Sequence, residues 1–465
     1  IHAYSVAGPS DVASLAIGAP LFGRTDQRTA LRDVYRRVVA EGKPRLAVVT
    51  GPAGVGKSRL VREFIDWAGL TDASLTTLSG RCLPYGEDIT YRPLAEFVAD
   101  LTGVTPSTEP TEAVEKLTAL LAPHLPEGEV AIATDALVRM IGLEPPGDVP
   151  RPAPGRVREL LRSTWRTLLS GIASDGPLLL LVEDIHWAGD ALLDLIDHVV
   201  RRGEGPLLVV SPARPELVDR DWNMPPATTT VRIEPLESGD ATALASRLLG
   251  DAGLSLTTVD RITERADGNP FFIEELVREA ALRSADREHT EDDDLPATIH
   301  GVVSARIDLL RGRERRVLQT ASVIGRIFWP SAIGFVTGLD EESLAASLSH
   351  LESLQLVRVN LGAGDETEYI FQHVLIREAA YGRLSRPDLA RIHGAVAEWL
   401  ESRASERPEA AERLAYHTYR AYQAALGTSD FPPTEEEGLR ALAVERLVAS
   451  ARRARGRAAF GRAKE

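Results

Sequence analysis

The chain has 465 residues, 44% of them apolar and 26% charged, with a formal net charge of −15. That length exceeds what one hydrophobic core can serve, and the acidic balance argues against nucleic acid or a membrane surface as a partner for the chain as a whole. A lone cysteine, Cys82, excludes an internal disulfide and a cysteine-based metal site. No apolar run reaches the ~18 residues that a membrane helix needs, and no signal peptide opens the chain, so the expected location is cytoplasmic. Ile1 stands first and the last residues read as helix that runs on, which makes the chain a piece of a larger polypeptide in this reading.

Residues 1–20 are poor in charge and carry Gly8-Pro9 and Gly18-Ala19-Pro20, the pattern of a linker. Residues 21–236 then alternate apolar runs with amphipathic stretches. Strands are expected at Leu46–Thr50, Leu75–Ser79, Leu178–Val182, Leu207–Ser211 and Thr230–Ile233. Such alternation predicts an α/β domain with a parallel sheet covered by helices on both faces. Residues 103–110 and 144–155, rich in Pro, Gly, Thr and Glu, read as exposed loops in a helical insertion.

The strand signal fades after Asp240. Residues 237–285 predict a small helical lid, and 286–296 an acidic hinge containing Glu288, Glu291, Asp292, Asp293 and Asp294. Residues 297–386 predict helices followed by a hairpin, Gln355–Asn360 and Glu368–Phe371 around Gly362-Ala363-Gly364, the order of a winged helix. Residues 387–465 read as helices in a TPR-like region. Arg452, Arg453, Arg455, Arg457, Arg462 and Lys464 crowd its end, and a solvated helix face is the simpler reading of them than a DNA patch.

Chemistry concentrates at Gly51-Pro52-Ala53-Gly54-Val55-Gly56-Lys57-Ser58, which fits G-x-x-x-x-G-K-[ST] at every position between a strand and a helix. Glycines let backbone N–H groups wrap a phosphate, and the helix N-terminus adds partial positive charge there. Lys57 can reach the β- and γ-phosphates and the Ser58 hydroxyl can ligate Mg²⁺. We count the adjoining Arg59 in the nucleotide-binding set. Leu178–Val182 ends in Glu183 and Asp184, one expected to organise Mg²⁺ and the other to orient or deprotonate the attacking water. Spacing leaves that division open; the preferred one puts Glu183 on the metal shell and Asp184 near the water. Arg214, just past another strand, can read the γ-phosphate, a surface salt bridge being the alternative.

These residues, with further segments, resemble the STAND class of P-loop ATPases, AAA/NACHT-like modules found behind bacterial nucleotidyl-cyclase domains and inside large transcriptional regulators. The resemblance runs from about Leu21 to Glu401. It rests on Leu21-Phe22-Gly23-Arg24, Gly80-Arg81-Cys82-Leu83-Pro84-Tyr85-Gly86-Glu87, Val182-Glu183-Asp184-Ile185-His186-Trp187-Ala188 and Ala213-Arg214-Pro215-Glu216. Gly268-Asn269-Pro270-Phe271-Phe272 and Phe371-Gln372-His373-Val374-Leu375-Ile376-Arg377-Glu378 complete it. It implies that Phe22, Gly23 and Arg24 flank adenine, that Pro270 packs on the base, that Arg214 is the γ-phosphate sensor, and that His373 touches the β-phosphate in a closed ADP state. The acid such proteins carry directly after the Gly-Arg pair is replaced here by Thr25, with Asp26 following. The resemblance implies a slow ATPase switch that self-associates through the nucleotide domain, takes a signal or protein partner at its helical tail, and controls an output domain. Ile1–Val6 look like the strand that leaves a class III cyclase domain. A nucleotide-binding scaffold without turnover, or the core of a transcriptional regulator, are the alternatives.

Overall fold

The computed structural model describes residues 21–82, 91–146, 154–217, 220, 222–252, 256–285, 298–360, 367–403, 410–428 and 430–456. The 1–20 linker, the 286–296 acidic stretch, Leu83–Glu87, the glycine turn at 362–364, and Arg457, Arg462 and Lys464 lie outside them.

Five parallel strands form the main sheet: β1 (Arg45–Thr50), β2 (Thr76–Arg81), β3 (Leu178–Glu183), β4 (Leu207–Ala213) and β5 (Thr228–Arg232), in the order β2-β3-β4-β1-β5. The three central strands read as continuous apolar runs because both of their faces are buried. Side chains alternate between the faces. Leu46, Val48, Leu178, Leu180, Leu207 and Val209 join the core under helices Arg92–Thr102, Pro154–Asp175 and Asp190–Arg202. Ala47, Val49, Leu179, Leu208 and Val210 join the opposite core under helices Thr25–Glu41 and Lys57–Thr71. The edge strands β2 and β5 are half-exposed and carry threonines, and their ends fall one or two residues from the expected ones, as does the end of the fully buried β4. Helices Pro110–Leu121 and Glu127–Met140 belong to the insertion between β2 and β3 and extend the first core.

Beyond the sheet, helices Ser238–Ala252, Leu256–Ala266 and Pro270–Ala285 enclose their own core around Leu244, Ile262, Ile273 and Leu276. Helices Ile299–Asp308, Gly312–Ile324, Pro330–Thr337 and Glu341–Ser353 then pack with a second, antiparallel sheet. Its strands are β6 (Ile327–Phe328), β7 (Val357–Asn360) and β8 (Glu368–Phe371), in the order β6-β8-β7. The sequence reading placed β7 and β8 but not β6, whose two residues are too few to show alternation. Helix Val374–Gly382 leaves β8, and helices Arg386–Ser402, Ala410–Ala425 and Pro433–Gly456 pack in succession after it.

Candidate functional site

The C-terminal ends of β1, β3 and β4 open into a cleft, the usual place for a ligand on a parallel sheet. After β1 the chain turns through Gly54 and Gly56, both left-handed at φ 81° and 99°, into helix Lys57–Thr71. Gly56 caps that helix without a side-chain bond to its first N–H groups. Gly51 serves close approach instead: a Cβ there would lie 2.3 Å from the Ile233 carbonyl oxygen. A loop of this shape presents backbone N–H groups and a helix N-terminus to one point, which fits phosphate. The Lys57 ammonium donates to the carbonyls of Gly51 (2.7 Å) and Pro52 (2.6 Å). Burial pushes its pKa down to about 8, with Arg214 adding to the effect and Asp184 and Glu216 opposing it.

Of the two acids ending β3, Glu183 is ion-paired with Arg81 at the end of β2. Burial and the neighbouring Arg326 push the Arg81 pKa down. Asp184 adopts a left-handed φ of 56°, which re-aims the chain, and it pairs with Arg326, the residue before β6. Pairing between β3 and β4 stops at Leu181 and Val210, whereas β2 follows β3 to Glu183, so both acids stand away from β4. Arg214 follows β4 and donates to Glu378 of helix Val374–Gly382 at 3.0 Å. Between them, His186 is pushed down to about 4 by burial, with Arg214 and Lys57 acting in the same direction and Asp184 and Glu216 against it.

The remaining expected residues come from the flanks. Arg24 is buried and donates to the Val55 carbonyl at 3.3 Å. Gly23 (φ 60°) presses on helix Ser238–Ala252, where a Cβ would meet Asp240, and Phe22 packs on the core of the three helices after β5. Pro270 opens helix Pro270–Ala285 and lines the cleft. The residue before it, Asn269, donates to the Ala53 carbonyl (3.1 Å) and caps the helix by accepting from Phe271 (3.1 Å) and Phe272 (3.3 Å). Arg59 stands 3.9 Å from Glu274 of the same helix.

His373 lies parallel to Phe271 at 3.9 Å, and its Nδ1 accepts from the Leu375 N–H at 3.2 Å, capping helix Val374–Gly382. Burial pushes it down to about 3, aided by Arg326, Lys57 and Arg214 and opposed by Asp184. It is therefore neutral at physiological pH, and with Nδ1 accepting, its proton sits on Nε2, which is left as a donor.

The fold thus brings the phosphate loop, Glu183, Asp184, Arg214, Pro270, His373, Phe22 and Arg24 to one cleft. Gly23, Gly51 and Pro52 are not among the residues that line it. Among the described residues no group of three or more His, Cys, Asp or Glu forms a metal cage; a cleft lined by Ser58, Glu183 and Asp184 suits magnesium, which keeps most of its shell as water and phosphate. Arg81, Asn269, Arg326 and Glu378 were not assigned from sequence. Arg81, Asn269 and Glu378 sit inside the motifs that carried the resemblance, whereas no motif surrounds Arg326.

Residues 20–210 match the AAA ATPase domain family, and residues 237–286 match a domain of unknown function. An uncharacterized protein of Rhizobium meliloti (strain 1021) is 26% identical over 388 residues, covering 81% of this chain and 36% of its own length. Among solved structures, a signal transduction ATPase with numerous domains and a tetratricopeptide repeat sensor from Pyrococcus horikoshii is 14% identical. That alignment has a TM-score of 0.46 and covers 90% of this chain and 57% of the other. A Walker-type ATPase of Pyrococcus abyssi is 15% identical with a TM-score of 0.33, covering 77% of this chain and 96% of the other. The chain thus spans about a third of the curated relative's length.

Proposed function

With residues 20–210 an AAA-type P-loop ATPase module, we propose that the chain is a STAND-type switch that binds ATP with magnesium, hydrolyses it slowly and changes domain arrangement with nucleotide state. One observation carries this: the phosphate loop, the acid assigned to the water and the arginine assigned to the γ-phosphate are contacted directly by side chains from the segments after the sheet. Asn269 holds the Ala53 carbonyl, Arg326 holds Asp184, and Glu378 holds Arg214. A site built so cannot gain or lose a γ-phosphate without altering its contacts to those segments. A ligand shifts a two-state balance only by its unequal affinity for the two states.

Bound magnesium would neutralise charge on the phosphates. Around it, Ser58 and Glu183 are assigned to the metal shell, Asp184 to the attacking water, Lys57 and Arg214 to the phosphoryl oxygens, and the Nε2–H of His373 to the β-phosphate. Phe22, Gly23, Arg24, Arg59 and Pro270 complete the nucleotide set.

In this reading residues 237–285 are the lid, 297–386 a winged helix and 387–465 a TPR-like region. Helix Val374–Gly382 would link the cleft to that tail. It carries Glu378 toward Arg214, while its Tyr381 hydroxyl meets His393 (3.1 Å) and Arg420 (2.9 Å) of the next helices. The tail then receives a signal or protein partner, copies associate through the nucleotide module, and an attached output domain, a nucleotidyl cyclase among the candidates, responds. Among the described residues no helix is long and apolar enough to cross a membrane, and a cytoplasmic location is part of the proposal.

Equilibrium nucleotide binding and single-turnover hydrolysis test the reading. Lys57→Ala should abolish measurable ATP affinity, and a variant that binds as the unaltered chain does would sink it. Failure to release phosphate over hours would favour a non-hydrolysing regulatory module.

A further inference from the structure

The group assigned to the attacking water and the one assigned to the γ-phosphate are held by ion pairs of opposite polarity, and both partners come from one structural unit. Asp184 is paired with Arg326 across 142 residues of chain, and Arg214 with Glu378 across 164. Both partners are fixed by the second sheet. The Arg326 carbonyl accepts from the Phe371 N–H (3.1 Å), which ties Arg326 to β8, and Glu378 rides on the helix that leaves β8. The Arg326 side chain is partly exposed, and its Nε is buried without a hydrogen-bond partner. The Nε2 of His186 and the Oε1 of Gln372, both in the cleft wall, are buried and unpartnered in the same way.

We propose that Arg326 and Glu378 are positioning residues that withhold Asp184 and Arg214 from the phosphoryl centre, so that ATP turnover waits on one movement of the second-sheet unit. The proposal rests on the switch reading above and adds the residues that set its rate. While the pairs hold, Arg326 fixes the direction of the Asp184 carboxylate, and Glu378 fixes the direction of the Arg214 guanidinium and neutralises charge that it would bring to a phosphoryl oxygen. Because Arg326 and Glu378 share a scaffold, the acid and the cation are released together. Opposite polarity also makes the lock selective: no single mobile ion satisfies both halves.

The test uses the whole chain. Single-turnover ATP hydrolysis and hydrogen exchange over residues 368–382 are measured for the unaltered chain, Arg326→Gln, Glu378→Gln and Arg326→Lys. Arg326→Gln and Glu378→Gln should each raise the hydrolysis rate by about 1.5- to fivefold, the range expected when one partly exposed ion pair leaves a two-state balance. Exchange in 368–382 should rise in both, and Arg326→Lys, which keeps the charge, should stay near the unaltered chain. A fall in rate in Arg326→Gln would make Arg326 an accelerating residue and overturn the lock, as would unchanged rates in both Gln variants. If the unaltered chain and every variant fail to hydrolyse ATP, the switch reading fails by itself. The lock is then judged by exchange, and unchanged protection in both Gln variants overturns it.

Discussion

Nucleotide affinity should fall as pH rises through about 8, because Lys57 is poised there. Burial holds its ammonium at about 8 rather than 10.5. A bound triphosphate places negative charge beside it and restores the protonated form. Above the free-protein pKa, binding must therefore take up a proton. The apparent dissociation constant grows by a factor of 1 + 10^(pH − pKa), which is about 1.1 at pH 7 and about 11 at pH 9, a loss near 1.4 kcal/mol. Phosphate's own second ionisation, near pH 6, is complete over that interval and contributes little. Titration calorimetry with ATP at constant ionic strength and free magnesium, from pH 7 to 9, measures the slope. Lys57→Arg stays charged throughout and should bind more weakly but without the slope. A flat profile in the unaltered chain, or a slope that survives in Lys57→Arg, would refute the reasoning. For folding the sign is opposite. The folded pKa is depressed, so between about 8 and 10.5 the unfolded chain binds more protons and this group's contribution to stability rises with pH.

Three further outcomes are expected. Gly51→Ala places a Cβ 2.3 Å from the Ile233 carbonyl oxygen and should cost about 1–3 kcal/mol of stability, with loss of nucleotide affinity; an unchanged melting temperature would count against the close approach. Glu275, 1% exposed, holds Arg306 and Arg278 at the junction of helices Pro270–Ala285 and Ile299–Asp308. Glu275→Ala leaves Arg306 buried without its acid and should lose about 3–5 kcal/mol in urea unfolding, whereas adding Arg306→Met should recover part of the loss. Asp184→Asn should slow single-turnover hydrolysis by about 10²-fold or more while keeping ATP affinity, and Glu183→Gln should chiefly raise the magnesium requirement; the reverse pattern would exchange the two assignments.

How far the site was legible depended on the distance over which each signal acts. The phosphate loop declares itself within eight residues because backbone geometry demands glycine at fixed places: left-handed φ at Gly54 and Gly56, and a missing Cβ at Gly51. The central strands are legible because burial on both faces leaves them mostly apolar, although β4 runs two residues past the expected Ser211, and β2 and β5, exposed along part of their length, shift by a residue or two. Glu183 and Asp184 stand out as charges ending such a run. Arg326 had no signal of this kind. It stands 142 residues from Asp184, in a segment whose strand is two residues long, and nothing local requires an arginine there. Its place is set by β6 pairing with β8, and β8 in turn carries His373 and Glu378 into the same cleft through the helix that follows it. The sequence motif around Phe371–Glu378 therefore located one wall of the site, and pairing between strands located the residue opposite. Long-range strand pairing is the step that single-sequence periodicity does not encode, since periodicity reports which face a residue lies on and not what that face meets.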